Sequence, residues 1–302
     1  MAPIESSLMH DVRDRGLAPK AAILLSTVFW GTLWIPLRHL GDAQSGSTSL
    51  TAAGFLIPLL AMLPFGVLRW RSIVAGGWPL VLAGFVMADS VALYAEALRR
   101  GEVARVILLF YLAPVWSTLL AWKISGGAVS SSRLVTIALG LAGMLIVFGG
   151  REGTGPGAGG DAMALLAGML CACSLLQLRS LDPDIPEFDK VFVQFLFLGA
   201  MFCGFSLVPG GPAWALPSAV ELADRAGWLL ALGLIWMPVV LWLTIFGASR
   251  LESGLVAVLL MLEVVIGLAS AALLADEPFG AREMAGAMFI LAACGSESVL
   301  RS

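Results

Sequence analysis

Apolar runs of near-bilayer length recur along the whole chain, separated by short polar or Gly/Pro-rich stretches. They predict ten helical segments, at about 21–40, 50–68, 78–98, 104–123, 132–150, 161–180, 190–209, 226–248, 251–277 and 281–299. A hydrocarbon core about 30 Å thick needs about 20 apolar residues at about 1.5 Å each. The ninth segment, LESGLVAVLLMLEVVIGLASAALLADE, differs from the others. Arg250 and Glu252 bound it at one end, Asp276 and Glu277 at the other, and Glu263 sits near its middle. A carboxyl group at that depth costs about 2.5–3.5 kcal/mol on insertion scales, so it faces a wet cavity, a partner or a bound solute.

Composition strengthens the membrane reading. Hydrophobic residues make up 59 % of the chain and charged residues 13 %, where a soluble domain carries about 25 % charged residues. The fold class expected is all-α, a polytopic membrane protein in contact with lipid. A net charge of −3 gives no basis for a nucleic-acid partner. Cys171, Cys173, Cys203 and Cys294 all lie in apolar runs without C-x-x-C spacing, as small buried hydrophobes do. Residues 1–20 are mixed in charge and lack the short apolar core of a cleavable signal. They read as a cytoplasmic segment ahead of an uncleaved first span. Lysine and arginine are more numerous on the side of the N-terminus, which places both termini in the cytoplasm.

The chain also repeats itself at an offset near half its length. RRGEVARVILLFYLAPVWSTLLAW, from Arg99, aligns with SRLESGLVAVLLMLEVVIGLASAAL, from Ser249. Arg100 and Glu102 register with Arg250 and Glu252, and one residue of slip then sets Pro114 against Glu263. FWGTLWIPLRHL and MLCACSLLQLRSL match more loosely. Two five-helix units follow, at 21–150 and 161–300. Five is odd, so the units insert with opposite orientation about a pseudo-two-fold axis in the membrane plane. That architecture places a solute site near the midplane, between the halves.

Catalytic constellations are missing. His10 and His39, the two histidines, fall at or beyond span ends, and neither H-E-x-x-H nor G-x-S-x-G occurs. Asp89 has no second mid-span aspartate, and the glycine-rich stretch 149–160 lacks the Lys-Ser/Thr of a phosphate loop. No metal or cofactor is expected. Asp89 and Glu263 lie at mid-membrane depth with no lysine or arginine at that level. Such acids hold a substrate's amino group or a proton, or serve as neutral carboxyls bonded between helices. Glu96, two turns beyond Asp89, reads as solvated. Trp30, Trp34, Trp116, Trp236 and Trp242 lie deep in spans, and Trp30 and Trp34 at i, i+4 share a helix face. Tyr94 and Tyr111 also fall within spans, and Gln177 and Gln194 are further polar candidates. An apolar lining with a few polar handles suits an amphipathic or aromatic solute. Pro36, Pro58, Pro64, Pro114 and Pro238 interrupt apolar runs, each removing a backbone hydrogen bond. Kinks at Pro36, Pro114 and Pro238 are candidate hinges.

Ten spans in two halves, Trp30-Gly31 in the first helix and Pro114 in LAPVWSTLLAW resemble the drug/metabolite transporter superfamily, EamA type. Within it the chain is most similar to the YddG-type aromatic amino acid exporters of bacterial inner membranes. Ala275-Asp276-Glu277-Pro278 matches a family step that Ile124-Ser125-Gly126-Gly127 lacks, and Glu263 stands where the family often has proline. The resemblance implies a central cavity built from helices 1, 3, 4, 6, 8 and 9, with helices 5 and 10 peripheral and at a homodimer contact. On that pattern the lining residues are Trp30, Trp34, Asp89, Tyr94, Tyr111, Trp116, Gln177, Trp236 and Glu263. The implied function is secondary export of amino acids or related small metabolites by alternating access. A multidrug carrier of the same superfamily is the alternative, and a membrane scaffold or intramembrane enzyme is a third reading.

Overall fold

The computed structural model describes residues 2–41, 48–113, 115–116, 119–120, 123, 131–148, 158–205, 217–248, 250–251, 256, 259–275 and 280–300. Among these residues the fold is all helix, without a strand. Five helices are long and apolar enough to cross a bilayer: Leu17–Leu40, Ser49–Leu68, Gly77–Arg100, Gly159–Leu178 and Ala226–Ala248. Further helices run over Val103–Phe110, Ser131–Phe148, Glu187–Phe205, Leu262–Leu274 and Ala281–Leu300. Every predicted interval therefore contains helix among its described residues. The first helix starts earlier than the apolar pattern does, at Ala2, so residues 2–20 are continuous with it.

Small residues and polar backbone contacts set the helix crossings, as expected where burial from lipid gives little driving force. Gly77–Arg100 and Ala158–Ser180 pack antiparallel. Ser90 Oγ donates to the Ala167 carbonyl at 2.8 Å, and Ser174 Oγ to the Ala83 carbonyl at 3.3 Å. Val103–Phe110 and Leu262–Leu274 also run antiparallel, Gly267 lying against Ile107 and Glu263 against Tyr111. The first helix crosses the ninth at Gly31, where a Cβ would come within 2.9 Å of the Glu263 carbonyl and 3.0 Å of the Gly267 nitrogen. Ser131–Phe148 and Ala281–Leu300 meet at Gly143, against Ile290 and the Gly286 carbonyl.

Four other helices lose regular hydrogen bonding along their length. The first breaks at Thr32–Leu33, where Leu33 N bonds to the Trp30 carbonyl and Ile35 N to that of Thr32. Pro36 has no N–H to bond Thr32, which accounts for the tightening there. The fourth breaks at Tyr111–Leu112, with Leu112 N on the Leu109 carbonyl, just ahead of Pro114. Pro114 itself lies outside the described residues. The eighth widens into a π-turn over Ala231–Trp236, which ends two residues before Pro238.

The ninth breaks at Met261, where Val264 N bonds to the Met261 carbonyl. The unbroken 251–277 helix expected from sequence is thus corrected: Glu263 sits in the first turn after a break. Pro58 and Pro64, by contrast, sit inside a helix that runs unbroken from Thr48 to Leu68.

Ion pairs and carbonyl clamps tie the helix ends. Arg105 reaches Asp161 with two bonds, Nε–Oδ1 at 2.8 Å and Nη2–Oδ2 at 2.7 Å. Nearby, Arg99 donates to the Gly41 carbonyl and Arg38 to the Gly101 carbonyl, each at 3.0 Å. At the opposite end Arg69 pairs with the fully buried Asp189 at 2.7 Å, and Arg250 with Glu187 at 2.8 Å.

Candidate solute site

The breaks surround one buried acid. Glu263 is 4 % exposed, turned inward and away from the lipid-facing surface. Its Oε2 lies 2.7 Å from the Tyr111 hydroxyl, and its Oε1 accepts from the Tyr94 hydroxyl at 3.3 Å. The Tyr111 hydroxyl also lies 2.5 Å from the Leu260 carbonyl. Among the described residues, no lysine or arginine bonds to Glu263.

Aromatic rings pack on the tyrosine partners of this acid. Tyr94 lies against Phe110 with centroids 4.4 Å apart, and Trp30 tilts over Tyr94 at 6.3 Å. The indoles are fixed by their N–H groups, as buried tryptophans require. Trp30 donates to Thr244 Oγ1 at 3.1 Å, Trp34 to Ser270 Oγ at 3.0 Å, and Trp236 to the Phe29 carbonyl at 2.8 Å. That last acceptor belongs to the turn that precedes the Thr32 break. Ser270 in turn donates to the carbonyl of Gly267 or of Gly31. Helices 1, 3, 4, 8 and 9 thus converge on one aromatic, hydroxyl-rich centre.

Of the lining residues expected from sequence, Trp30, Trp34, Tyr94, Tyr111, Trp236 and Glu263 come together in this network. Asp89, Trp116 and Gln177 do not bond to it. Asp89 is half-buried and lies five residues before Tyr94, about 140° around the same helix. Trp116 Nε1 and Gln177 Oε1 are buried without a hydrogen-bond partner. Gln177 is nine residues beyond Gly168, whose backbone packs on the Phe110 carbonyl, so it falls on about the opposite face. Pro36 and Pro238 follow the helix irregularities by a few residues and are not themselves the broken positions.

Phe110, Thr244, Ser270 and the Leu260 carbonyl join the site without having stood out in the sequence. Ser270 carried a usable signal, since it lies two turns beyond Glu263 on the same helix face. The carbonyl became an acceptor only through the break, which hydropathy does not reveal. A cavity of about 290 Å³ lies elsewhere, lined by Ser72, Pro79, Ser180, Asp182, Asp184 and Pro186. None of its lining residues touches the Glu263 network, so the acid is the better site on chemistry.

A broken-helix acid site between two similar halves is a carrier's arrangement, and comparison with known proteins decides the family. The profile of the EamA-like transporter family matches twice, over residues 20–149 and 158–295. The chain belongs to the EamA-like transporter family. The EamA family lies within the drug/metabolite transporter superfamily, and this chain carries two repeats of its profile. An "Uncharacterized transporter" of Archaeoglobus fulgidus is 32 % identical over 130 residues, 42 % of this chain and 45 % of that protein. The match thus spans about half the length of that relative. A solved structure titled only "Crystal structure of protein" superposes with a TM-score of 0.58 at 19 % identity, over 95 % of this chain and 97 % of that one. At that identity the likeness shows the fold alone.

Proposed function

We propose that this EamA transporter is a secondary exporter of the bacterial inner membrane, and that Glu263 receives the amino group of an aromatic amino acid or related metabolite. One observation carries the reading: a buried carboxyl bonded, among the described residues, by the hydroxyls of Tyr111 and Tyr94, with Phe110 and Trp30 packed on the Tyr94 ring. An ammonium group gives that acid a charge-assisted partner, and the ring stack receives a flat apolar side chain.

Ten spans in two inverted halves, with both termini cytoplasmic, fit the antiparallel pairing of helices 4 and 9 and their breaks at matching places, Tyr111 and Met261. Alternating access then uses those breaks as hinges. In this form Trp34, Arg38 and Arg99 close the end that holds Gly41 and Gly101.

One feature supports a second solute class. Among the described residues no cationic side chain bonds into the Glu263 network to receive a carboxylate, so an organic cation without one also fits. Uptake of L-tryptophan and of tryptamine into proteoliposomes separates the two, since they share a ring and an amino group. Glu263→Gln is expected to abolish transport of whichever is carried. Wild-type uptake by that variant would refute the assignment.

A further inference from the structure

Among the described residues, the hydroxyl of Tyr111 has two acceptors for its one hydrogen. It lies 2.5 Å from the Leu260 carbonyl and 2.7 Å from Glu263 Oε2. Leu260 has a strong claim on that hydrogen. In an unbroken helix its carbonyl would accept from Val264 N, but that N–H bonds to the Met261 carbonyl at 3.1 Å. A half-buried carbonyl in a membrane-spanning helix, away from water, requires a donor. If Tyr111 donates to Leu260, its oxygen meets Glu263 Oε2 at hydrogen-bond distance with no hydrogen left to share. Two bare acceptor oxygens at that separation repel.

We infer that Glu263 carries a proton in this closed form and donates it to Tyr111, completing a relay from the acid to the broken backbone of helix 9. Every hydrogen then has one acceptor: Glu263 Oε2–H to Tyr111, Tyr111 O–H to the Leu260 carbonyl, and Tyr94 O–H to Glu263 Oε1. The other titratable groups facing the acid are the Tyr94 and Tyr111 phenols and, from helix 6, the Cys171 thiol. Each is neutral in this scheme, so the enclosed network has no net charge.

Loss of the proton redirects the Tyr111 hydrogen to the carboxylate and strips Leu260 of its donor. Protonation of the acid and the break in helix 9 are thereby coupled through one hydroxyl. Resting on the proposed function, a substrate ammonium replaces the proton: the proton leaves Glu263, the carboxylate pairs with the ammonium, and network plus ammonium again sum to zero.

Infrared difference spectroscopy of the full-length protein, titrated with pH in detergent, tests the proton directly. The wild type should show a neutral-carboxyl carbonyl band that vanishes at high pH, is absent in Glu263→Gln and shifts in Tyr111→Phe. The Tyr111→Phe shift identifies the band even if Glu263→Gln folds poorly. No such band, or one unmoved by Tyr111→Phe, overturns the inference. If the band is present while neither L-tryptophan nor tryptamine is transported, the substrate assignment fails and the proton assignment stands.

Discussion

Removing the Tyr111 hydroxyl should cost far more than removing that of Tyr94, although both reach the same carboxyl. In Tyr111→Phe, Glu263 Oε2 loses a partner at 2.7 Å and the Leu260 carbonyl loses its donor at 2.5 Å. Side-chain hydrogen bonds inside membrane proteins average about 0.6 kcal/mol and reach about 1.7. A buried acceptor left without a donor adds about 1–3 kcal/mol. The two contributions give about 2–3 kcal/mol. In Tyr94→Phe the lost contact is 3.3 Å long, beyond the usual range for hydroxyl donors. Glu263 keeps Tyr111, so about 0.5 kcal/mol is expected. The difference, about 2 kcal/mol, is roughly a 30-fold change in the unfolding equilibrium. Reversible unfolding in mixed detergent micelles, followed by tryptophan fluorescence or circular dichroism, measures both variants against wild type. Equal losses, or a larger loss for Tyr94→Phe, would refute the hydrogen-bond assignment around Leu260.

Other consequences follow from the packing. Asp161→Asn leaves the Arg105 guanidinium, 9 % exposed, without its bidentate anion; a loss of about 3 kcal/mol is expected, seen as a lower thermal midpoint in detergent, while replacing both partners with leucine recovers much of it. Gly31→Ala sets a methyl 2.9 Å from the Glu263 carbonyl, so the first and ninth helices must separate at a cost of about 1–3 kcal/mol. Gly159→Ala meets nothing within 4 Å and should be neutral or stabilising by about 0.5 kcal/mol; matching midpoints for the two glycine variants would contradict the tight crossing.

The sequence showed this architecture where the physics is local. Length and apolarity alone determine the helices that cross a bilayer, and an acid within such a run stands out because lipid solvates it poorly. The offset that aligned Arg100 with Arg250 also aligns the breaks at Tyr111 and Met261, although no proline or glycine marks a break at Met261. Trp30, Trp34 and Trp236 were recognisable as deep, but their partners Thr244, Ser270 and the Phe29 carbonyl lie on other helices or in the backbone. Asp89 shows the converse limit. Depth made it look equivalent to Glu263, but the face of helix 3 that points to the centre carries Tyr94 instead. Helical phase relative to distant neighbours decides such cases, and a single apolar run does not encode it.

Solute flux across a sealed bilayer is the most direct test of the central claim. Purified protein in proteoliposomes, given L-tryptophan or tryptamine with and without a proton gradient, should accumulate one of them in the wild type and neither in Glu263→Gln, with the folded state of that variant verified by its thermal midpoint. Equal uptake by the folded Glu263→Gln variant would contradict the account.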